Sequence, residues 1–477
     1  MSYETAIARM YALGYELANA PSHKFDLAHM RVLLAALNNP QRKFPGVLIA
    51  GTNGKGSTAA TLGSILRASG LRTGLYTSPH LVRINERIRI DGDEIRDDEF
   101  ALLHDVVDRT AERLVEDGEL PWHPSFFEML TAIAFEYFAQ NKVEIAVLEV
   151  GMGGRLDATN VIEPRVSVIT DIALDHQKFL GDTVAEIARE KAGIIRSGGV
   201  VVTLPQHPQA NDVIGNTILQ MGAQGVSAVP YVPPVSPGSA EYLMHARKSA
   251  GERRTDAAQG VSRGSEAQFK QGITQRDCAV SCYPLQVMGR QISVETPLVG
   301  RHQLRNIALA IQTAEVLSHQ GFAVTPDSIE RGIRETHWPG RFQVVPAEDD
   351  APEYVFDVAH NPAGAWALRS TLSGCYEDRP LTFVFGAMRD KAIGEIAEIL
   401  FPLAERVIAT RADNPRSAMP DEIREAAART ATDIEDAIDV ASAVDRARSL
   451  AGSQGVVVVT GSIYIVGEAM RVLGVKV

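Results

Sequence analysis

The residues best placed to do chemistry begin with Gly51-Thr52-Asn53-Gly54-Lys55-Gly56-Ser57-Thr58, directly after the apolar run Val47-Leu48-Ile49-Ala50. Such a run suits a buried strand, the glycines let the backbone turn tightly, and residues 57–69 carry apolar side chains at helical spacing. Backbone N–H groups at that helix start point at an anion, with Lys55 adding a charge and Ser57 a hydroxyl for a metal ion. The general phosphate-loop pattern G-x-x-x-x-G-K-[ST] is matched imperfectly: Ile49 stands at the first glycine position and Gly56 separates Lys55 from Ser57. The competing reading is a glycine-rich strand-to-helix turn with one solvated lysine.

Three further polar residues end apolar runs of strand character. Residues 72–77 lead to Ser78-Pro79-His80-Leu81, residues 143–150 contain Glu149 before Gly151-Met152-Gly153-Gly154, and residues 166–170 lead to Asp171 and His176. Strands joined by a helix imply parallel βαβ units with right-handed crossovers, and ligands of such sheets sit at the carboxyl ends of the strands. Ser57, Ser78, Glu149 and His176 are then a candidate ligand set for one divalent ion. Oxygen-rich coordination favours Mg²⁺ shared with nucleotide phosphate, while the histidine also permits Mn²⁺. Taken singly, Ser78 could merely start a Ser-Pro turn and His176 could merely be hydrogen-bonded.

The elements that must position these groups follow from length and pattern. The 477 residues exceed one ordinary hydrophobic core, so two domains are expected. With 45% hydrophobic and 22% charged residues the composition is that of a soluble enzyme, and no run is long enough to cross a bilayer. The first residues lack a secretory signal pattern, which points to the cytoplasm. Cys278, Cys282 and Cys375 make an odd count without a second C-x-x-C pair, against a disulfide framework or structural zinc. A formal charge of −12 disfavours nucleic-acid binding.

The reading is an α/β chain in two parts. An N-terminal phosphate-loop ATPase-like domain with a mainly parallel sheet spans 1–336, a linker 337–346, and a smaller Rossmann-like α/β domain 347–477. The first forty residues alternate helical patterns with a loop at 20–23. A Gly-, Ser-, Pro- and Arg-rich stretch over about 230–272 cannot bury a core and is read as a surface insertion, with short strands resuming at 278–298. Asp357-Val358-Ala359-His360-Asn361-Pro362 and Gly461-Ser462-Ile463-Tyr464 follow strands of the second domain. Each could face the first domain or simply make a turn.

Gly51 to Ser57, Thr77 to Leu81 with Asn85-Glu86-Arg87-Ile88, Glu149 to Asn160, Leu174-Asp175-His176, Glu190-Lys191-Ala192-Gly193, Asp357 to Pro362 and Gly461-Ser462 occur in the order seen in folylpolyglutamate synthases and dihydrofolate synthases. The chain resembles that family, part of the Mur ligase superfamily, along nearly its whole length. The superfamily shares the non-standard loop spacing, whereas the Ser-Pro-His-Leu and Gly-Gly-Arg-Leu-Asp-Ala-Thr-Asn segments are more specific to the folate branch.

The resemblance implies that Gly54, Lys55, Gly56 and Ser57 bind ATP phosphates, with Asn306, Arg341 and Asp357 contacting adenine, phosphate and ribose. It implies Ser57, Ser78, Glu149, His176 and a carbamylated Lys191 as ligands of two Mg²⁺ ions. Lys55, Lys191, His176 and Asp157 would be the catalytic groups. Asp26, Leu27, Ser125, Phe126, Phe127, Glu128, Leu156, Asp157 and Ala158 would bind the pterin and aminobenzoate parts, and His360 and Ser462 the incoming glutamate. The implied activity is ATP-dependent ligation of L-glutamate to dihydropteroate or to folates through an acyl phosphate, in a monomer without nucleic-acid or membrane partners. Another Mur-type amino-acid ligase and a non-catalytic nucleotide-binding regulator are the alternatives.

Overall fold

The structure, a computed structural model, describes residues 1–14, 27–234, 281–348, 351–430 and 432–477. Asp26, the loop expected at 20–23, Cys278 and most of the 230–272 stretch lie outside the described residues.

Strands β1 (Gly46–Ala50), β2 (Thr73–Tyr76), β3 (Ile88–Ile90), β4 (Asp93–Glu94), β5 (Ile145–Glu149), β6 (Val166–Ile169), β7 (Val200–Thr203) and β8 (Gln224–Ser227) form one sheet in the order β4-β3-β2-β5-β1-β6-β7-β8. From β2 to β8 every neighbouring pair is parallel, and β3 and β4 add an antiparallel edge. Strand β1 is covered on both faces, which explains an apolar sequence without alternation. Leu48 and Ala50 belong to one core with Tyr76 and Phe135, Val47 and Ile49 to the other with Leu62 and Ile311. The helix Lys55–Ala68 is buried along most of its length between the sheet and the helices Arg301–His319 and Pro326–Arg334. That packing leaves its first turn little freedom to move.

β9 (Ser281–Val287) and β10 (Arg290–Thr296) form a hairpin that turns at Met288-Gly289, where both residues have positive φ as a twisted two-residue turn requires. Pro230 and Tyr231, expected at the start of the insertion, are instead anchored. They lie in the short helix Val229–Tyr231, and the buried tyrosine donates to Glu315 at 2.7 Å.

β11 (Gln343–Val345), β12 (Glu353–Phe356), β13 (Leu381–Phe385), β14 (Arg406–Ala409), β15 (Ile434–Asp436) and β16 (Val456–Thr460) form a second sheet in the order β11-β12-β16-β13-β14-β15. All its pairs are parallel except β11 with β12. Residues 343–345, expected within the linker, are thus already an edge strand, because their backbone pairs antiparallel with Tyr354–Phe356. Cores on both faces, one around Phe383 and Val458 and one around Val384 and Val459, again account for continuous apolar strands. Leu81, from the loop after β2, packs against the second of these cores. The carboxyl ends of the two parallel sheets therefore face each other.

Candidate active site

Residues 51–54 carry the chain from β1 into the helix Lys55–Ala68. Thr52 and Asn53 donate backbone N–H to the Asp171 carbonyl at 2.9 and 3.1 Å, so the end of β6 holds the turn from the side. Arg305 grips the Asp171 carboxylate through two bonds of 2.6 and 3.0 Å. Gly54 stands at φ +87°, and a Cβ there would lie 2.1 Å from Asn306 Oδ1. Only glycine serves at that position. Asn306 covers the loop from the helix Arg301–His319, with its own amide donating to Gln303 at 2.9 Å. Trp338 closes on Gly56, where a Cβ would meet its ring at 2.8 Å. Lys55 folds back to donate to the Gly51 and Thr52 carbonyls at 3.1 and 3.3 Å. Neutral carbonyls bind an ammonium less strongly than a phosphate does, so an arriving anion can take these bonds over.

Lys191 is buried and donates to the same Gly51 carbonyl at 2.7 Å. Burial first, and the nearby Lys55 second, pull its amine down to about 7. Near neutral pH a large share of it is therefore the free base. Burial raises the Glu149 carboxyl, while Lys55, the Ser78 N–H at 3.2 Å and Arg341 act in the opposite direction. His176 adopts a left-handed φ of 51° as the cap of the helix Gln177–Leu180, an uncommon backbone state for a residue with a Cβ. Burial lowers its imidazole to about 3, so the ring is neutral, and its Nδ1 is buried without a hydrogen-bond partner among the described residues.

A neutral imidazole with an orphaned nitrogen beside a buried carboxylate suits a divalent cation. Among the described residues no three His, Cys, Asp or Glu side chains gather into a metal-holding group. The donors present thus fit a partial shell, one that serine hydroxyls and phosphate oxygens could complete.

Across the cleft, Asp357 follows β12 and accepts backbone N–H groups from Phe342 and Ala359, each at 2.9 Å. Burial raises its carboxyl and Arg341 works against that rise. Asn361 caps the helix Pro362–Cys375 through Gly364 N–H at 2.8 Å, and its amide reaches Asn53 Oδ1 at 2.9 Å and Asp175 Oδ2 at 3.3 Å. Lys391, from the turn after β13, donates to Asp175 Oδ1 at 2.6 Å, and both side chains are less than a tenth exposed. His360 Nε2 lies 3.6 Å from Asp175 Oδ2. Burial opposes charge on Asp175, yet the contact from His360 and the charge of Lys391 hold its carboxyl well below the usual range. Three side chains of the second wall thus meet the first wall at one carboxylate.

One cavity runs between the walls. It brings together Leu27, Ser78, Ser125 to Glu128, Leu156 to Ala158 and His176 with Arg341, His360 and Ser462, all singled out in the sequence. Lys55, Ser57, Glu149, Lys191, Asn306 and Asp357 are not among its lining residues; the first five belong to the phosphate loop and its surroundings, and Asp357 lies beside Arg341 on the second wall. Several of the cavity residues already have structural work. Ser125 and Glu128 form a reciprocal helix cap, Ser125 Oγ donating to Glu128 at 2.7 Å, and Glu128 also meets His29 at 3.2 Å. Asp157 accepts from Met152 N–H at 3.1 Å and from the Thr159 N–H and hydroxyl at 3.0 and 2.6 Å. These bonds make it the organiser of the 151–160 loop. Ser462 caps the helix Ile463–Val472, accepting from Tyr464 N–H at 3.2 Å.

Lys391 and Arg416 also line the cavity and were not singled out in the sequence. The available signal was their position after β13 and β14, at the carboxyl ends of parallel strands.

Residues 340–463 match the family model of the Mur ligase, glutamate ligase domain. A folylpolyglutamate synthase from Lacticaseibacillus casei is 36% identical over 401 residues, covering 84% of this chain and 83% of its own. A dihydrofolate synthase/folylpolyglutamate synthase from Bacillus subtilis is 32% identical over 453 residues, covering 94% and 95%. The crystal structure of Mycobacterium tuberculosis folylpolyglutamate synthase complexed with ADP and AMPPCP superposes with a TM-score of 0.81 at 30% identity, covering 99% of both chains. On sequence, fold and cleft together, the chain belongs to the folylpolyglutamate synthase/dihydrofolate synthase family.

Proposed function

We propose that this chain is an ATP-dependent ligase that joins L-glutamate to a folate-type carboxylic acid, either dihydropteroate or the tail of a glutamylated folate. The observation that carries the reading is the meeting of Lys55 and Lys191 on the Gly51 carbonyl, beside a cavity closed by cations from the second wall. The relatives named above, one of them complexed with ADP and AMPPCP, support ATP as co-substrate.

In the first step an acceptor carboxylate oxygen attacks the γ-phosphorus of ATP, giving an acyl phosphate and releasing ADP. In the second the glutamate amine attacks the acyl carbon, phosphate leaves with the bonding pair, and the amine loses a proton. The first step brings two anions together, so positioning and charge neutralisation are the main tasks of the protein. Lys55 and the N–H groups at the start of its helix hold the phosphates. Asn306 and Asp357 take the base and ribose, and Arg341 reaches the phosphate side. Leu27, Phe126, Phe127 and Leu156 give the pterin and aminobenzoate an apolar slot, while His360, Ser462 and Lys391 orient the incoming glutamate. Mg²⁺ supplies further neutralisation when bound, and Ser57, Ser78, Glu149 and His176 are the side chains to hold it. The free amine of Lys191 can add to carbon dioxide with loss of a proton, which turns a buried cation into an anionic ligand for a second ion.

An ATP-dependent reaction is in keeping with a cytoplasmic location, and a cleft built within one chain with a monomer. Among the described residues no helix is long and apolar enough to cross a membrane. A coupled ATPase assay with L-glutamate, comparing dihydropteroate with a reduced folate, tests the reading. ADP release that requires both glutamate and one acceptor is expected; ADP release with neither acceptor dependence nor glutamate incorporation sinks it.

A further inference from the structure

A second cavity, of about 790 Å³, opens on the opposite side of the first sheet's strands from the phosphate loop. Its lining includes Lys43, Phe44 and Pro45, which lead into β1, and Pro164 and Arg165, which lead into β6. It therefore sits at the amino ends of the strands whose carboxyl ends carry the nucleotide loop. The volume falls in the range of about 300–1,000 Å³ common for ligand pockets.

Its charge is out of keeping with the chain. Arg31, Arg42, Lys43, Arg165 and Arg196 line it against one carboxylate, Glu163, in a protein of net charge −12. Arg196 is occupied: it donates to the Asn160 side chain at 2.7 Å and to the Ile162 carbonyl at 2.9 Å, and pairs with Glu163 at 3.4 Å. Among the described residues the other four cations have no carboxylate partner. Gln41, only 7% exposed, also lines the cavity, and its Oε1 has no hydrogen-bond partner among the described residues. A cleft lined by one sign of charge concentrates the opposite ion, and the unpartnered Gln41 oxygen, whose Nε2 already donates to Asn39 at 3.3 Å, is an acceptor that a ligand's amide N–H can meet.

The two cavities share a lining residue. Leu27 lines both, Arg31 follows it one turn along the helix Leu27–Ala36, and Asn160 and Val161 continue the segment whose Leu156 to Ala158 line the first. We propose that the second cavity binds the carboxylates of an oligo-γ-glutamyl chain, so that it selects for acceptors with long tails. This rests on the ligase reading above. The reacting carboxylate must stay at the nucleotide, so each added glutamate pushes the rest of the acceptor farther away. A short acceptor ends within the first cavity. A longer one passes Leu27 and lays its internal carboxylates over Arg31, Arg42 and Lys43.

The test compares the full-length chain with the R42E/K43E variant, using monoglutamyl and pentaglutamyl forms of one reduced folate at saturating ATP and glutamate. Both substituted side chains are exposed and outside the reaction cleft, and unchanged monoglutamyl turnover reports an intact fold. The pentaglutamyl KM should rise about tenfold and the monoglutamyl KM stay within about twofold, with the wild-type tail preference shrinking as salt screens the cations. R42Q/K43Q should give a smaller shift in the same direction. Calorimetry with a γ-linked pentaglutamate peptide should register binding to wild type that the variant weakens. Equal KM changes for both acceptors, no change for either, or binding of inorganic phosphate without binding of the peptide overturns the proposal. A wild-type chain inactive with both acceptors overturns the ligase reading as well, whereas activity without tail dependence overturns this inference alone.

Discussion

The wall formed by β1, β2, β5 and β6 holds its functional groups with backbone, whereas the wall from the second sheet holds its own with side-chain charges. On the first wall the phosphate loop is tied by N–H bonds to the Asp171 carbonyl, closed over by Asn306 and Trp338, and continued into a helix buried on most sides. On the second wall Lys391, His360 and Asn361 converge on Asp175, a carboxylate of the opposite wall. A backbone-built cradle exists before any ligand arrives and costs no reorganisation when charge develops. A salt-bridged wall can be released by exchanging one partner. The first wall thus reads as the fixed platform for the nucleotide phosphates and base, and the second as the part whose seating completes the glutamate site and adds the ribose contact of Asp357.

That contrast breaks most visibly at Lys55. Lys55→Ala should lower ligation about a thousandfold, the upper range for loss of one preorganised electrostatic donor, while the circular dichroism spectrum stays unchanged. Retained ATP-dependent glutamate incorporation would remove Lys55 from the mechanism and with it the claim that the loop is the platform. On the proposed carbamate, Lys191→Ala should cost nearly as much for a different reason, the loss of an anionic metal ligand. Acetate or another short-chain carboxylate should restore part of the activity of that variant, as followed by ADP release. If no carboxylate at any concentration restores turnover, the carbamate assignment fails even though Lys191 stays essential.

The second wall is tested at the ion pair between Lys391 and Asp175. Removing one partner of a buried pair strands the other charge, so Lys391→Ala should cut kcat/KM for glutamate about a hundredfold, on the order of 3 kcal/mol. Affinity for ADP, whose phosphates and base the first wall holds and whose ribose contact at Asp357 does not involve Lys391, should change less than about threefold. Asp175→Asn alone should also be costly, and the double variant should lose much less than the sum. Additive losses would mean that the two residues act separately and that the seating of the walls does not run through them.

What could be read ahead of the structure follows the same division. Glycine, lysine and serine at fixed offsets after an apolar run are a local signal, and the strand at Val47 to Ala50, the helix after it and the residues ending β2, β5 and β6 were all legible from it. Strands Leu381–Phe385 and Val456–Thr460 were legible with their bounds, because full burial on both faces makes them continuously apolar. The edge strands β4, β8, β11 and β15, and β3 next to the edge, were not. Their residues are short runs of mixed polarity whose pairing depends on a neighbour far along the chain. Lys391 and Arg416 escaped for a related reason: each stands in a turn well past its strand, Lys391 meeting Asp175 of the facing wall and Arg416 pairing with Asp390 beside it, contacts that depend on residues far along the chain. Asp157 was legible as important, but not as a carboxylate already committed to Met152 and Thr159.

The smallest expected effect is also the cleanest separation of the walls. Leu81 reaches from the loop after β2 into the core of the second sheet, and that loop is held by Glu86, which accepts the backbone N–H groups of Leu81 and Val82 at 2.7 Å each. Leu81→Ala removes apolar contact between the walls without touching the phosphate loop, the cavity lining or the Asp175 cluster. At roughly 0.8 kcal/mol per buried methylene, and with the side chain only partly buried, about 1 kcal/mol of interdomain contact should be lost. The KM for glutamate should therefore rise about fivefold, while the dissociation constant for ADP, which draws only its ribose and part of its phosphate contacts from the second wall, rises less than about twofold. An equal weakening of ADP and glutamate would mean that nucleotide binding depends on the seating of the second wall as much as glutamate binding does, and that the contrast between a preformed wall and a seated one does not describe this cleft.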